Sequence, residues 1–245
     1  MRMSTVPDSP RSPSGIAGIG GWPALLRIAL VLLLLSAVLF VSAGTLDWPM
    51  AWAYLGSYLI LTVGSRLLML SNNPDLVRER AGSASHAGVP RWDKRIMPVV
   101  AIYGPLAMQI VAGLDRRLGW SPELPLWLHA GALRAVILAM VLATWAVLVN
   151  RFFSAVVRIQ TERGHAVTTS GPYRYVRHPG YAGGVIANLV TPIALGSLWA
   201  LIPGFLVAAL TVLRTGLEDR TLQHELGGYC EYAARVRYRL LPGVW

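Results

Sequence analysis

The stretch YAGGVIANLVTPIALGSLWALIPGFLVAALTVL, residues 181–213, contains no charged side chain. As a single helix it would run roughly 50 Å at 1.5 Å per residue, well past a hydrocarbon core of about 30 Å. Pro192 and Gly196 stand near its middle, where a helix is expected to break. The stretch is therefore predicted to be a helical hairpin whose two ends return to the same side of a membrane. That prediction organises the rest of the chain, because it brings together the polar segments on either side, residues 158–184 and 214–245.

Working outward, Leu126–Val149, Met97–Leu114, Pro49–Met69 and Ala24–Ala43 each form an apolar run of about the length a span requires. The first run is longer than a signal-peptide core and is followed by further spans, so it reads as a retained helix. Residues 71–96 read as a polar loop and residues 1–21, rich in Ser, Pro and Gly, as a disordered tail. The fold class expected is all-α integral membrane: a four-span helical bundle plus the C-terminal hairpin. The expected organisation is 1–21 tail, 22–149 four-span region and 150–245 core with the polar segments. Trp22, Trp48, Trp52, Trp127 and Trp199, near span ends, are expected in the interfacial belt. Arg66 and Arg134 are expected to snorkel or to pair within the bundle.

Composition agrees. Of 245 residues, 54% are hydrophobic and 14% charged, against about a quarter charged in a soluble domain. The net charge of +10 is better explained by cytoplasmic loops facing anionic lipid than by nucleic acid, which is not expected as a partner. With the N-terminus inside, the outer loops hold only Arg116 and Arg117, and the other loop arginines fall on the inner side. Lys94 is the sole lysine among 22 basic residues, a bias that points to a GC-rich bacterial genome and hence a bacterial inner membrane. Cys230 is the single cysteine, so no intramolecular disulfide forms, and no metal site is expected. No obligate protein partner is evident.

The segment RIQTERGHAVTTSGPYRYVRHPGYAGG concentrates groups that hydrogen-bond or stack: Gln160, His165, Thr168, Tyr173, Arg177, His178 and Tyr181. Gly171-Pro172 and Pro179-Gly180 impose turns on it. The segment after the hairpin is helical by pattern. Arg214 and Glu218, four apart, share a face, and Arg214 closes the charge-free stretch opposite the polar loop. An ionisable pair at that depth marks a site. GGWPA and YAGGV lack the strand–glycine–helix context of a dinucleotide fingerprint.

GPYRYVRHPGYAGG, with LEDRTLQHEL and GYCEYAARVRYRLLPGVW after the hairpin, resembles the isoprenylcysteine carboxyl methyltransferase family, to which membrane phospholipid methyltransferases are related. Upstream, NPDLVRER and RWDK are weaker family features. The resemblance implies an S-adenosyl-L-methionine site facing the cytoplasm, contacted by Gln160, His165, Ala166, Val167, Thr168, Tyr173, His178, Pro179, Gly180, Tyr181 and Glu218. It places Arg214 at the substrate position. Glu218-Asp219 stands where relatives often carry two glutamates, and Gly180 where some carry serine.

Methyl transfer is an in-line displacement that depends on proximity and alignment. A carboxylate acceptor needs no base, and Arg214 could hold it bidentately while Glu218 binds the cofactor. Arg214 and Glu218 are thus the candidate catalytic pair. The membrane setting favours a lipophilic acceptor entering from the bilayer. A phospholipid amine acceptor, with His178 or Glu218 as base, and a membrane NADPH-dependent reductase remain as alternatives.

Overall fold

The computed structural model describes residues 22–82 and 88–245; the expected N-terminal tail, 1–21, lies outside the described residues. Among these the regular secondary structure is all helical, with no strand. In order come α1 (Trp22–Ala43), α2 (Pro49–Asn72), α3 (Pro74–Ala81), α4 (Arg91–Pro98), a π-helical turn (Val99–Tyr103), α5 (Gly104–Leu118), α6 (Leu126–Val149), α7 (Pro179–Ala194), α8 (Leu201–Glu225) and α9 (Tyr229–Arg235). The helices Pro49–Asn72, Arg91–Leu118, Leu126–Val149 and Leu201–Glu225 are long and apolar enough to cross a membrane. α1, apolar from Ala29 to Ala43, packs along α5.

The hairpin forms as expected. α7 ends at Ala194, just past Pro192. Gly196 then takes φ +76°, and a Cβ there would come within 2.6 Å of the His129 ring, so the turn demands glycine twice over. α7 also packs closely on α6. A Cβ at Gly183 would lie 2.4 Å from the Ala139 carbonyl oxygen and 3.2 Å from Ala143. Small residues spaced four apart on both helices permit this approach, as membrane helices without a hydrophobic drive between them require.

The hairpin tip is pinned. Asp115 Oδ2 accepts from Ser197 Oγ at 2.5 Å and from Ser121 Oγ at 2.6 Å, while its Oδ1 accepts from the Ser121 amide at 2.7 Å. His129 Nδ1 lies 3.0 Å from the Ala194 carbonyl oxygen. The α5–α6 and α7–α8 connections therefore meet at one end of the bundle, and residues 150–178, the end of α8 and α9 gather at the other.

Three expectations are corrected. The segment 71–96 is not a plain loop: Asn73 accepts from the Leu76 amide at 3.2 Å and caps α3, with Pro74 in its first turn and Asp75 at its positive end. α4 then runs through the π turn into α5 as one long span, rather than starting at Met97. Trp48 is not an interfacial residue: it is 4% exposed in the core with Phe40, Ala51 and Tyr54. Trp52, Trp127 and Trp199 are exposed as expected, and the Trp22 side chain lies outside the described ones. Arg134 is exposed on α6.

Candidate functional site

At the α9 end, the loop 150–178 folds over the start of α7 and the last turns of α8, leaving a cleft. Asn150 organises its base. Its Oδ1 accepts from the Phe152 amide at 2.9 Å and Thr168 Oγ1 at 3.1 Å, and its Nδ2 donates to Tyr173 Oη at 3.3 Å. Asp93, from α4, accepts from the Val157 amide at 2.8 Å and so ties the loop's middle to the third span. Glu79, from α3, takes Arg158 through both carboxylate oxygens at 2.9 Å.

The polar segments meet as the hairpin requires. Tyr181 Oη donates to Glu218 Oε2 at 2.5 Å. The Arg177 and His178 amides donate to the carbonyls of Tyr238 and Arg239, each at 2.9 Å. Beside Glu218 on α8, Asp219 is wholly buried and serves as a hub. It lies 3.2 Å from His178 Nε2 and accepts from Tyr229 Oη at 2.9 Å, Arg239 Nε at 2.9 Å and Gln223 Nε2 at 2.8 Å. Arg177 Nε is also 3.2 Å away, off the line of a hydrogen bond, and has no other partner. Burial, then the charge of Asp219, raises the Tyr229 hydroxyl above its ordinary range, so it remains a donor.

Of the residues expected at the site, His165, Ala166, Val167, Thr168, Tyr173, His178, Gly180, Tyr181 and Glu218 line the cleft. Gln160, Pro179 and Arg214 do not. Gln160 is fully buried behind the loop, where its Nε2 donates to the Phe152 carbonyl at 2.7 Å and its Oε1 accepts from Arg163. Pro179 is buried in the first turn of α7, where its missing N–H costs nothing. Arg214 gives Nε to Asp93 Oδ1 at 2.7 Å and Nη2 to the Ala155 carbonyl at 2.8 Å, so its fork already holds an internal carboxylate. Phe152, Phe153, Leu222, Leu226 and Tyr232 also line the cleft; nothing in a one-dimensional reading separates such apolar residues from ordinary packing. Asp93 and Glu79 belong to RWDK and NPDLVRER, and their role is to brace the loop.

His165 packs against Phe152 with centroids 4.7 Å apart and the rings tilted by 35°, and its Nδ1 accepts from the Gln160 amide at 3.3 Å. Burial, then the charges of Arg158 and Arg163, lowers its pKa to about 4, against about 6.5 in an unfolded chain. Between those values the unfolded chain binds a proton and the folded chain does not. The stability from neutral His165 is therefore complete above about pH 6.5 and is lost as pH falls towards about 4. The drop in thermal midpoint between about pH 7 and 4.5 is expected to be smaller in His165→Gln than in the wild type; equal drops would remove His165 as its source.

The bundle and cleft define a multi-span helical membrane protein with a cleft at one end, built by a loop and the foot of a hairpin. Residues 132–224 match the model of the "Isoprenylcysteine carboxyl methyltransferase (ICMT) family". The chain is 30% identical over 113 residues to protein-S-isoprenylcysteine O-methyltransferase B of Arabidopsis thaliana, covering 45% of this chain and 57% of the relative. It is also 37% identical over 91 residues to the delta(14)-sterol reductase TM7SF2 of Mus musculus, covering 36% of this chain and 22% of that protein. The chain thus spans little more than half of one relative and under a quarter of the other.

Proposed function

We propose that this protein is a membrane methyltransferase that uses S-adenosyl-L-methionine and methylates a lipophilic acceptor through a carboxylate. The observation that carries the reading is Glu218: a carboxylate on the cleft wall, held by Tyr181 and set among Phe152, Tyr173, His165 and Leu222. A negative group beside aromatic and apolar faces suits a cofactor that joins a cationic sulfonium and ammonium to an adenine. Residues 150–245 act as the core and 22–149 as the spanning region, with the cleft on the cytoplasmic side where the basic loops lie.

When bound, the cofactor supplies an electrophilic methyl group. A carboxylate acceptor would then need no residue of this chain to take a proton. The protein's part is placement. Glu218 faces the cation, Tyr181 fixes the rotamer of Glu218, and Asp219 holds His178 so that its ring can wall the cleft beside Tyr181. Arg214 positions the loop through Asp93 and the Ala155 carbonyl rather than gripping the acceptor directly.

Equilibrium binding to the purified chain tests the cofactor. S-adenosylmethionine is expected to bind and NADPH is not. Glu218→Gln should weaken S-adenosylmethionine about 10- to 100-fold, the range for a hydrogen bond to a charged group. With membrane extract and a labelled methyl donor, the product should release label as methanol in base, as an ester does and a methylated amine does not. Binding of NADPH in place of S-adenosylmethionine would favour the reductase reading, for which the similarity to the sterol reductase is the support.

A further inference from the structure

Among the described residues, two arginines near the cleft have no ion-pair partner. Arg66 lies within α2, six residues before its end at Asn72, or roughly 9 Å along the axis. Its Nε is enclosed by protein and, among the described residues, has no hydrogen-bond partner. Arg80, in α3, lies over the Phe153 ring at 5.5 Å and has one long hydrogen bond, from Nη1 to the Phe153 carbonyl at 3.4 Å. The acids at hand are engaged elsewhere: Glu79 by Arg158 and Asp93 by Arg214.

Through Phe153 the two cations lie next to the cleft without lining it. Phe153 lines it, and Met69 and Leu70, a turn beyond Arg66, pack in the same apolar cluster as Phe153. Two residues on, the Ala155 carbonyl takes Arg214. Burial, and then repulsion from Arg66, lowers Arg80 below the ordinary guanidinium range. Unneutralised cations held together at the membrane edge are costly unless an anion completes them.

We propose that Arg66 and Arg80 form a headgroup site for the oxyanion of a lipophilic molecule, whose head sits beside Phe153 while its tail lies in the bilayer. Guanidinium forks match a carboxylate or a phosphate equally well. In one respect the site rests on the proposed function: a carboxylate held there is the methyl acceptor, whereas a lipid phosphate would use the same two cations.

The test uses the full chain in phosphatidylcholine nanodiscs, with myristic acid and myristyl alcohol as probes. The acid is expected to bind tighter than the alcohol. Arg66→Gln and Arg80→Gln should each weaken the acid about tenfold or more and leave the alcohol unchanged; Arg66→Lys should recover part of the loss. Arg134→Gln, on the exposed face of α6, should change neither. Without probe, the thermal midpoint of Arg66→Gln should hold or rise, since an unpaired cation has gone. In a second arm phosphatidylglycerol replaces part of the lipid. Competition with the acid assigns the site to a lipid phosphate, and no competition assigns it to the acid. Equal binding of acid and alcohol, or unchanged acid affinity in both variants, overturns the site, as does a fall in the probe-free midpoint of Arg66→Gln. S-adenosylmethionine binding is read in the same samples, so a failure of the proposed function shows separately.

Discussion

Asp219→Ala is expected to cost about 3–5 kcal/mol of stability, the penalty for stripping a buried ionic cluster of its one anion. The side chain is wholly buried and accepts from Tyr229, Arg239 and Gln223 while facing His178 and Arg177. Its loss strands two guanidiniums and leaves the Tyr229 hydroxyl to His178 Nε2, 3.3 Å away. The same carboxylate joins α8 to α9, to the tail and to the RHP segment, so the cleft should loosen with the fold. Asp219→Asn keeps the shape and one acceptor and should fall between Ala and wild type. Thermal unfolding in detergent, read beside ligand binding, checks this; a loss under about 1 kcal/mol for Asp219→Ala would mean that water replaces the anion freely.

The second large effect lies at the Asp93–Arg214 pair. Each partner is buried, and either one alone would be an unpaired charge at the foot of α8. Arg214→Met and Asp93→Leu are each expected to cost about 3–5 kcal/mol, and the double variant should recover most of that, since an apolar pair of similar size often replaces a buried ion pair without loss. A double-mutant cycle measures the coupling. Methyl transfer in the double variant then separates two roles for Arg214. If stability and transfer both return, Arg214 positions the loop. If stability returns and transfer does not, it acts on the acceptor. Simple additivity of the two losses would show that the pair is not coupled.

The hairpin was legible because three local signals agreed: no charge over residues 181–213, a proline and glycine at its centre, and polar segments on both flanks. Most of the cleft followed, since a loop dense in imidazole and phenol must fold against whatever the hairpin returns to it. What escaped were partnerships. Asp93 and Arg214 are separated by 121 residues, and nothing local in RWDK says that its acid will meet that arginine. Gln160 shows the converse: a buried amide that braces a loop and an amide that meets a ligand are the same residue in one dimension. The helix in 71–96 was within reach, because Asn73-Pro74-Asp75 is a cap, a first-turn proline and a first-turn acid in sequence; the surrounding polarity outweighed it. Trp48 was misplaced because proximity to a span end does not reveal which way the ring turns.

Asp115 and Ser197 pin the hairpin's tip, and Tyr181–Glu218 and His178–Asp219 clasp its base. A frame fastened at both ends cannot hinge or slide without breaking buried bonds. The cleft's other wall is the loop from Ser154 to Ser170, which is exposed at Thr161, Glu162, Gly164, Ala166, Thr169 and Ser170. The molecule is in this sense a fixed jamb, with the facing loop braced by Asp93 and Glu79.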